Sequence, residues 1–455
     1  MGVKRTSTDG GRGVGWRAVP MNRRTFVKTL TIAGGTVVAV GPSATAKRAA
    51  AKRQDTITLR QWYHQYGEEG TEDAVKRYAE QYTEANPNVE VEVNWVVGDY
   101  PALLNAALLT DDGPDLFEST PNLDWVRNGL IAPLDDLLTP EVRADYTERE
   151  LQSNTIEGVL YGLKIVVDTG MIYYRPSLLE AAGVAPPTTM DELIAAAQAL
   201  TDGPTKGLFL GNDGGISAMQ TILPWSAGSD FITPDNQVVF DNPGTVAAYE
   251  KLRELNQTDA LLIGAPTDWF DPSAFIQNLC AMAWGGLWMM PVVTEELGDD
   301  FGVIPWPALT ASTGAPVASP APGVAGTPTP ATFLGGWSQL VSARSANVDA
   351  AKAYAKWLWV DNADVQRDFN LEYGFHVPPR RSVAAGAEAL QGGPPAQAVE
   401  ILNNYARSMS LVWTAPMGAA LGDAVTRIVR DGADATQEVA AAAEAVRAEV
   451  ARLGL

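Results

Sequence analysis

Apolar and polar residues alternate through Ile57-Thr58-Leu59-Arg60-Gln61-Trp62, the period of a half-buried strand. A helix is expected from about Thr71, capped by that residue, with Glu72 and Asp73 in its first turn. Its apolar stripe is Ala74, Val75, Tyr78, Ala79 and Tyr82, and Asn86-Pro87 stops it. Val89, Val91, Val93 and Trp95 then alternate again. A strand–helix–strand unit of this kind predicts a parallel pair joined by a right-handed crossover. The rhythm continues with a helix over 101–110, a strand over 115–119, and a helix opened by Thr120-Pro121 and running to Asn128. Thr189 and Glu192 form a capping box at the head of a helix reaching Leu200, and Asp241-Asn242-Pro243 opens another through Glu254. From Ala346 onward the pattern is mostly helical, over 347–360, 363–372, 395–409, 418–431 and 434–452. Such alternation predicts an α/β fold of two lobes, whose sheets bind ligands at strand C-terminal ends.

One stretch breaks the composition. Residues 309–332 are almost wholly Ala, Pro, Gly, Thr, Ser and Val, and without a charge or an aromatic anchor they read as a mobile surface loop. The N-terminus breaks it too. Arg23-Arg24 precede a mild apolar run over 30–40, and Ala44-Thr45-Ala46 offers a cleavage site, so 1–46 reads as a twin-arginine type export signal. The run is about half the ~20 residues that span a bilayer. Two starts stay open, Met1 and Met21.

Charge narrows the function. The chain of 455 residues carries 33 Lys and Arg against 54 Asp and Glu; residues 1–46 hold seven of those bases and one acid, leaving 26 against 53, a net of −27. A surface this acidic repels phosphate backbones and anionic lipid, so no nucleic-acid partner is expected. A single cysteine, Cys280, rules out an internal disulfide, and with only His64 and His376 beside it a Cys/His zinc site is excluded. No metal or other cofactor is called for.

Twelve of the 13 Trp lie beyond the export signal. Trp62 ends the first strand in Trp62-Tyr63-His64-Gln65-Tyr66-Gly67, Trp225 follows Leu223-Pro224, Trp288 follows Gly285-Gly286-Leu287, and Trp337 follows Gly335-Gly336. These four are read as ligand platforms, whereas Trp95, Trp357 and Trp359 sit on strand or helix faces and are read as core. Stacking a pyranose face on an indole buries ~80–100 Å² of apolar area, about 2–2.5 kcal/mol. Carboxylates and amides near the same loops, Glu118, Asp168, Asn122 and Gln65, suit the polar rim of a sugar.

At this point the chain resembles the extracellular solute-binding proteins of ABC importers, in the carbohydrate-binding branch related to maltose-binding protein. The most specific block is GVLYGLKIVVDTGMIYYRPSLLEAAGVAPPTTMDEL, residues 158–193. GPDLFES (113–119), NGLIAPLDDLL (128–138), CAMAWGGLW (280–288), FGVIPWP (301–307) and FLGGWSQLVSA (333–343) support it in order and spacing. The chain departs from the family in having no lipobox cysteine, in Tyr174-Arg175-Pro176 where Asn-Lys-Asp is commoner, and in its longer Pro-rich segment.

The resemblance implies a two-lobe fold of periplasmic-binding-protein type II. Lobe one is expected over 55–165 and 287–343 and lobe two over 168–284 and 344–455, with crossings near 165–168, 284–286 and Ala343. Trp62, Tyr63, His64, Glu118, Ser119 and Trp337 would face the cleft from lobe one, and Asp168, Trp225 and Trp413 from lobe two, with Trp288 near the hinge. The expected protein is a non-enzymatic, monomeric, exported receptor that hands a neutral mono- or oligosaccharide to ABC permease subunits. Two rivals stay open: a different cargo in the same fold, and an exported glycoside hydrolase, which needs two carboxylates about 5–9.5 Å apart.

Overall fold

The computed structural model describes residues 56–66, 68, 70–110, 112–311, 326–373 and 375–455. The expected export signal and residues 312–325 of the Pro-rich segment lie outside the described residues.

The first sheet begins with β1 (Ile57–His64), β2 (Val89–Val96) and β3 (Leu116–Ser119). β1 pairs with both others in parallel, as the strand–helix–strand pattern requires. The helix Thr71–Ala85 between β1 and β2 buries all five residues of the expected stripe. A small hairpin, β4 (Thr155–Ile156) and β5 (Val159–Leu160), precedes β6 (Leu163–Lys164). The second sheet contains β7 (Asp168–Tyr174), β8 (Lys206–Phe209), β9 (Cys280–Gly286), β10 (Gly302–Ile304), β11 (Thr332–Gly335) and β13 (Ala406–Arg407). β12 (Ser338–Val341) returns to the first sheet, giving the orders β2–β1–β3–β12–β6 and β13–β11–β7–β9–β8, with β10 on β7.

Each sheet separates two apolar clusters because side chains alternate along its strands. In β3, Leu116 packs with Leu59 and Val75, while Phe117 packs with Tyr100 and Trp125 on the other face. In β7, Ile172 faces the cluster of Trp284 and Leu193, while Met171 and Tyr173 face that of Phe275 and Met290. The architecture is the two-lobe α/β fold anticipated above.

The expected lobe boundaries need correction. Met282–Gly286 of β9 stay hydrogen-bonded to β7, and β10 adds to β7's other side, so the chain does not leave the second sheet at 284–286. Nor does it cross at Ala343, whose N–H bonds Leu130 O inside the first layer. The transits are Ile165–Val167, between β6 and β7, and Gly336–Trp337, between β11 and β12. A third segment lies beside the first of these, where Val167 and Val377 exchange both backbone bonds at 3.0 Å. Gly336 has φ 89°, and a Cβ there would stand 2.0 Å from Val166 O. Only glycine fits that turn.

Helix ends moved where local capping beat the expected signal. Gly70 (φ 85°) caps the helix Thr71–Ala85 rather than Thr71, whose hydroxyl instead donates to Glu68 O. Asn122, not Thr120-Pro121, caps Leu123–Arg127 by accepting the Trp125 N–H at 2.9 Å. Pro416 in the first turn starts Ala415–Arg430 three residues earlier than expected. The capping box at Thr189 and Glu192 and the Asn242 cap are present. The described ends of the 309–332 segment are pinned rather than loose: Leu309 donates its N–H to Ser226 O, Thr329 and Ala331 are buried, and Thr332 opens β11.

Candidate functional site

The parallel register of β1 and β3 sets Trp62 opposite Phe117, so His64, the last residue of β1, and Glu118, the last but one of β3, meet at the same end of the sheet. Glu118 is fully buried. Its Oε1 accepts the His64 backbone N–H at 2.6 Å and faces the imidazole Nδ1; its Oε2 accepts the Tyr66 hydroxyl at 2.7 Å. Tyr100 donates its hydroxyl to the Glu118 carbonyl at 2.8 Å. With Nδ1 turned to Glu118, Nε2 is the ring nitrogen left for other partners. The His64 ring lies 4.0 Å from Tyr66 and 4.2 Å from Trp337, whose indole meets Tyr100 edge-on at 6.1 Å. His64 and Trp337 are half-buried, so an imidazole edge and an indole remain partly open beside the crossing strands. Burial, reinforced by the Glu118 charge, holds the Tyr66 phenol well above its ordinary pKa, and it stays a neutral donor.

A second polar group spans the transits. Asp168 opens β7, opposite Gly335 of β11. Its Oδ1 accepts the N–H of Thr169 at 2.7 Å and of Leu287 at 3.2 Å, and the latter bond fixes the backbone next to Trp288. His376 stands between Asp168 Oδ2, 3.1 Å from Nδ1, and Glu68 Oε1, 3.3 Å from Nε2. These are ionic contacts rather than aligned hydrogen bonds. Burial by itself would lower the His376 pKa, but the two carboxylates outweigh it and carry it up to about 10. The imidazolium therefore ties a first-sheet loop to the start of β7.

The structure brings His64, Glu118 and Trp337 into one cluster and sets Asp168 at the adjoining crossing. The other expected residues are placed differently. Trp62 is half-buried and packs on the cluster that holds Phe117 and Trp125. Ser119 is half-buried and pairs with Ser338 of β12. Tyr63 is a correction: strand alternation turns it to the opposite face from Trp62 and His64, where it is fully buried and its hydroxyl accepts from Gln61 Nε2. Trp225 is a second correction, fully packed in the core against Phe231, with Nε1 directed at Asp230 Oδ1 at 3.4 Å. Glu118 is fully buried and all the partners named above belong to the protein, an arrangement in which it orients His64. Trp413 is half-buried, edge-on to Phe231 at 5.2 Å. Trp288 is half-buried against Trp269 and donates Nε1 to Phe270 O at 2.9 Å. Of the indoles read as core, Trp359 is fully buried, while Trp95 and Trp357 are half-buried.

Tyr66, Tyr100, Glu68 and His376 were not singled out from the sequence. Tyr66 stood in the quoted aromatic run, and His376 is one of only two histidines, which were the available signals. Nothing local marks Tyr100 or Glu68.

The family model for bacterial extracellular solute-binding proteins matches residues 68–359, more than half of the chain. A probable ABC transporter-binding protein of Deinococcus radiodurans is 29% identical over 227 residues, 46% of this chain and 49% of that protein. The chain spans between about a third and about a half of the length of the first curated relatives it matches. Among solved structures, a solute-binding protein of Thermotoga lettingae bound to α-D-tagatose superposes with TM-score 0.70 at 21% identity, covering 87% of this chain and all of that one. UgpB of Mycobacterium tuberculosis, in complex with glycerophosphocholine, gives 0.69 at 19% identity, covering 88% and 99%. At these identities the likeness establishes the fold.

Proposed function

The chain belongs to the bacterial extracellular solute-binding proteins, and from that premise we propose that it captures a neutral mono- or oligosaccharide between its lobes and delivers it to an ABC permease. The observation that carries this reading is the Trp337–His64 surface, a half-open indole and imidazole held by buried Glu118 where the chain passes between the sheets. An indole face suits the apolar C–H face of a sugar, and the imidazole Nε2 suits its hydroxyl rim. The tagatose complex of the Thermotoga relative supports the sugar class, while UgpB shows the same fold taking a glycerophosphodiester, so cargo must be read from the site.

Binding needs no chemical step. Sugar held by one lobe gains contacts with the other only when the lobes close, which shifts the open–closed equilibrium. Moving it from 1:99 to 99:1 takes about 5.5 kcal/mol of differential binding. The site works outside the cytoplasmic membrane, and the expected export signal accounts for its delivery there.

Calorimetric titration with a panel of neutral oligosaccharides, plus glycerophosphocholine, tests the reading. Stoichiometric binding of an intact sugar is expected. Cleaved product would convert the receptor into a hydrolase, and binding of glycerophosphocholine alone would replace the sugar with another cargo.

A further inference from the structure

β6 is an edge strand of the first sheet, and its last residue, Lys164, stands directly before the Ile165–Val167 transit. Lys164 pairs with Ser338, the residue that follows the Gly336–Trp337 transit, and the next N–H, that of Ile165, bonds Trp337 O at 2.9 Å. Lys164 therefore sits where both transits leave the first sheet, and it is only 5% exposed.

The burial is unusual because this ammonium is unpaired. Among the other buried acidic and basic side chains, Asp115 accepts the Arg60 N–H, Glu118 that of His64, Glu150 that of Thr147 and Asp168 that of Thr169, while His376 lies between two carboxylates. Lys164 Nζ makes no hydrogen bond or ion pair among the described residues. Glu150, from the helix Glu148–Gln152, and Asp168, from the start of β7, act on it only through space. The strand opposite, β12, presents the uncharged Ser338 and Gln339. His376 and Glu68 belong to the same crossing, His376 standing between Asp168 and Glu68. A buried ammonium without an acceptor is disfavoured against its neutral amine. Burial accordingly pushes Lys164 down to about 8 from the 10.5 of an exposed lysine, although both carboxylates pull it upward. Glu150 belongs to the first lobe and Asp168 to the second, so the surroundings of this ammonium depend on how the lobes are set.

We propose that Lys164 is a proton-coupled hinge residue, an ammonium while the lobes stand apart and water reaches β6, and a neutral amine once they shut over the crossing. One N–H bond of the ammonium breaks on closure, and the proton passes to solvent. Cargo capture therefore releases a proton. The closed form, with its lower pKa, binds fewer protons above about pH 8, so alkali favours closure; below about pH 7 both forms are charged and the effect vanishes. Lys164 acts in this way on any cargo over which the lobes close, so its role rests on the receptor reading and not on the sugar.

The full chain is titrated calorimetrically with the oligosaccharide panel and glycerophosphocholine at about pH 7 and about pH 9, in two buffers of different ionisation enthalpy. At the higher pH nearly one proton is expected to leave per cargo bound, and affinity is expected to be about tenfold tighter than at the lower. Lys164→Met carries no titrating proton and Lys164→Arg keeps its charge across this range. Both are expected to lose the release and the rise in affinity. His376, Glu68, Asp168 and Glu150 are unchanged in these variants, so the difference from the parent isolates Lys164. If Lys164→Met fails to fold, Lys164→Arg is the variant measured. No proton release by the parent at about pH 9 overturns the proposal, and so does the same release in a folded variant. A lysine with a merely structural role would alter affinity or melting temperature without removing a pH step. Binding of glycerophosphocholine alone would refute the sugar and still yield the proton count, so the two failures are told apart.

Discussion

Glu118 shows how one buried side chain organises the candidate site. It fixes His64 through backbone and ring and holds the Tyr66 hydroxyl, so Glu118→Gln disturbs all three contacts. The expected result is a destabilisation of about 1.5–3 kcal/mol in denaturant melts, with weakened sugar binding. Trp337→Ala should behave differently. Losing an indole platform removes about 2 kcal/mol of apolar contact, roughly 30-fold in sugar affinity, with a small change in melting temperature. A large fall in melting temperature with affinity retained would assign Trp337 to the core. His376 makes a pH prediction. Its folded pKa of about 10 lies above the ~6.5 of an unfolded histidine, so its contribution is complete below about pH 6.5 and is lost as pH rises toward 10. Urea melts across that window should show stability falling with pH in the parent and less steeply in His376→Gln.

Strands and helices were legible wherever a period ran long enough. The five-residue stripe of Thr71–Ala85 and the alternation of β1 and β2 read directly, because one face of each must be buried. Ends were less legible, since several residues near a helix start can cap it and only backbone geometry chooses. Gly70 outcompeted Thr71, and Asn122 outcompeted Thr120. Where a cap was read correctly its loss is measurable: Asn242 accepts the N–H groups of Gly244 and Thr245, and Asn242→Ala should cost about 1 kcal/mol in denaturant melts. At the crossing, Gly336→Ala meets both an unfavourable φ and the Val166 carbonyl. A loss of about 1–3 kcal/mol is expected, together with altered sugar affinity, because the adjacent residue is Trp337.

At the scale of the whole molecule, two sheets joined by short transits have the connectivity of a hinged receptor. Small-angle scattering should show the radius of gyration falling when the sugar saturates the protein; no change on saturation would mean the lobes do not close. The amino-acid order by itself determined the α/β alternation, the family resemblance and the loops in which aromatic residues collect, because periodicity and composition are local properties. It did not determine which of those rings stay open. Tyr63 and His64 are neighbours, yet strand parity buries one and leaves the other beside Trp337, and Trp225 is enclosed by Phe231 from a separate turn. Nor could it place the lobe crossings, which depend on strand pairings such as Gly335 with Asp168 between residues far apart in the chain. Local patterns state that a face is buried; only the pairing of distant segments decides against what.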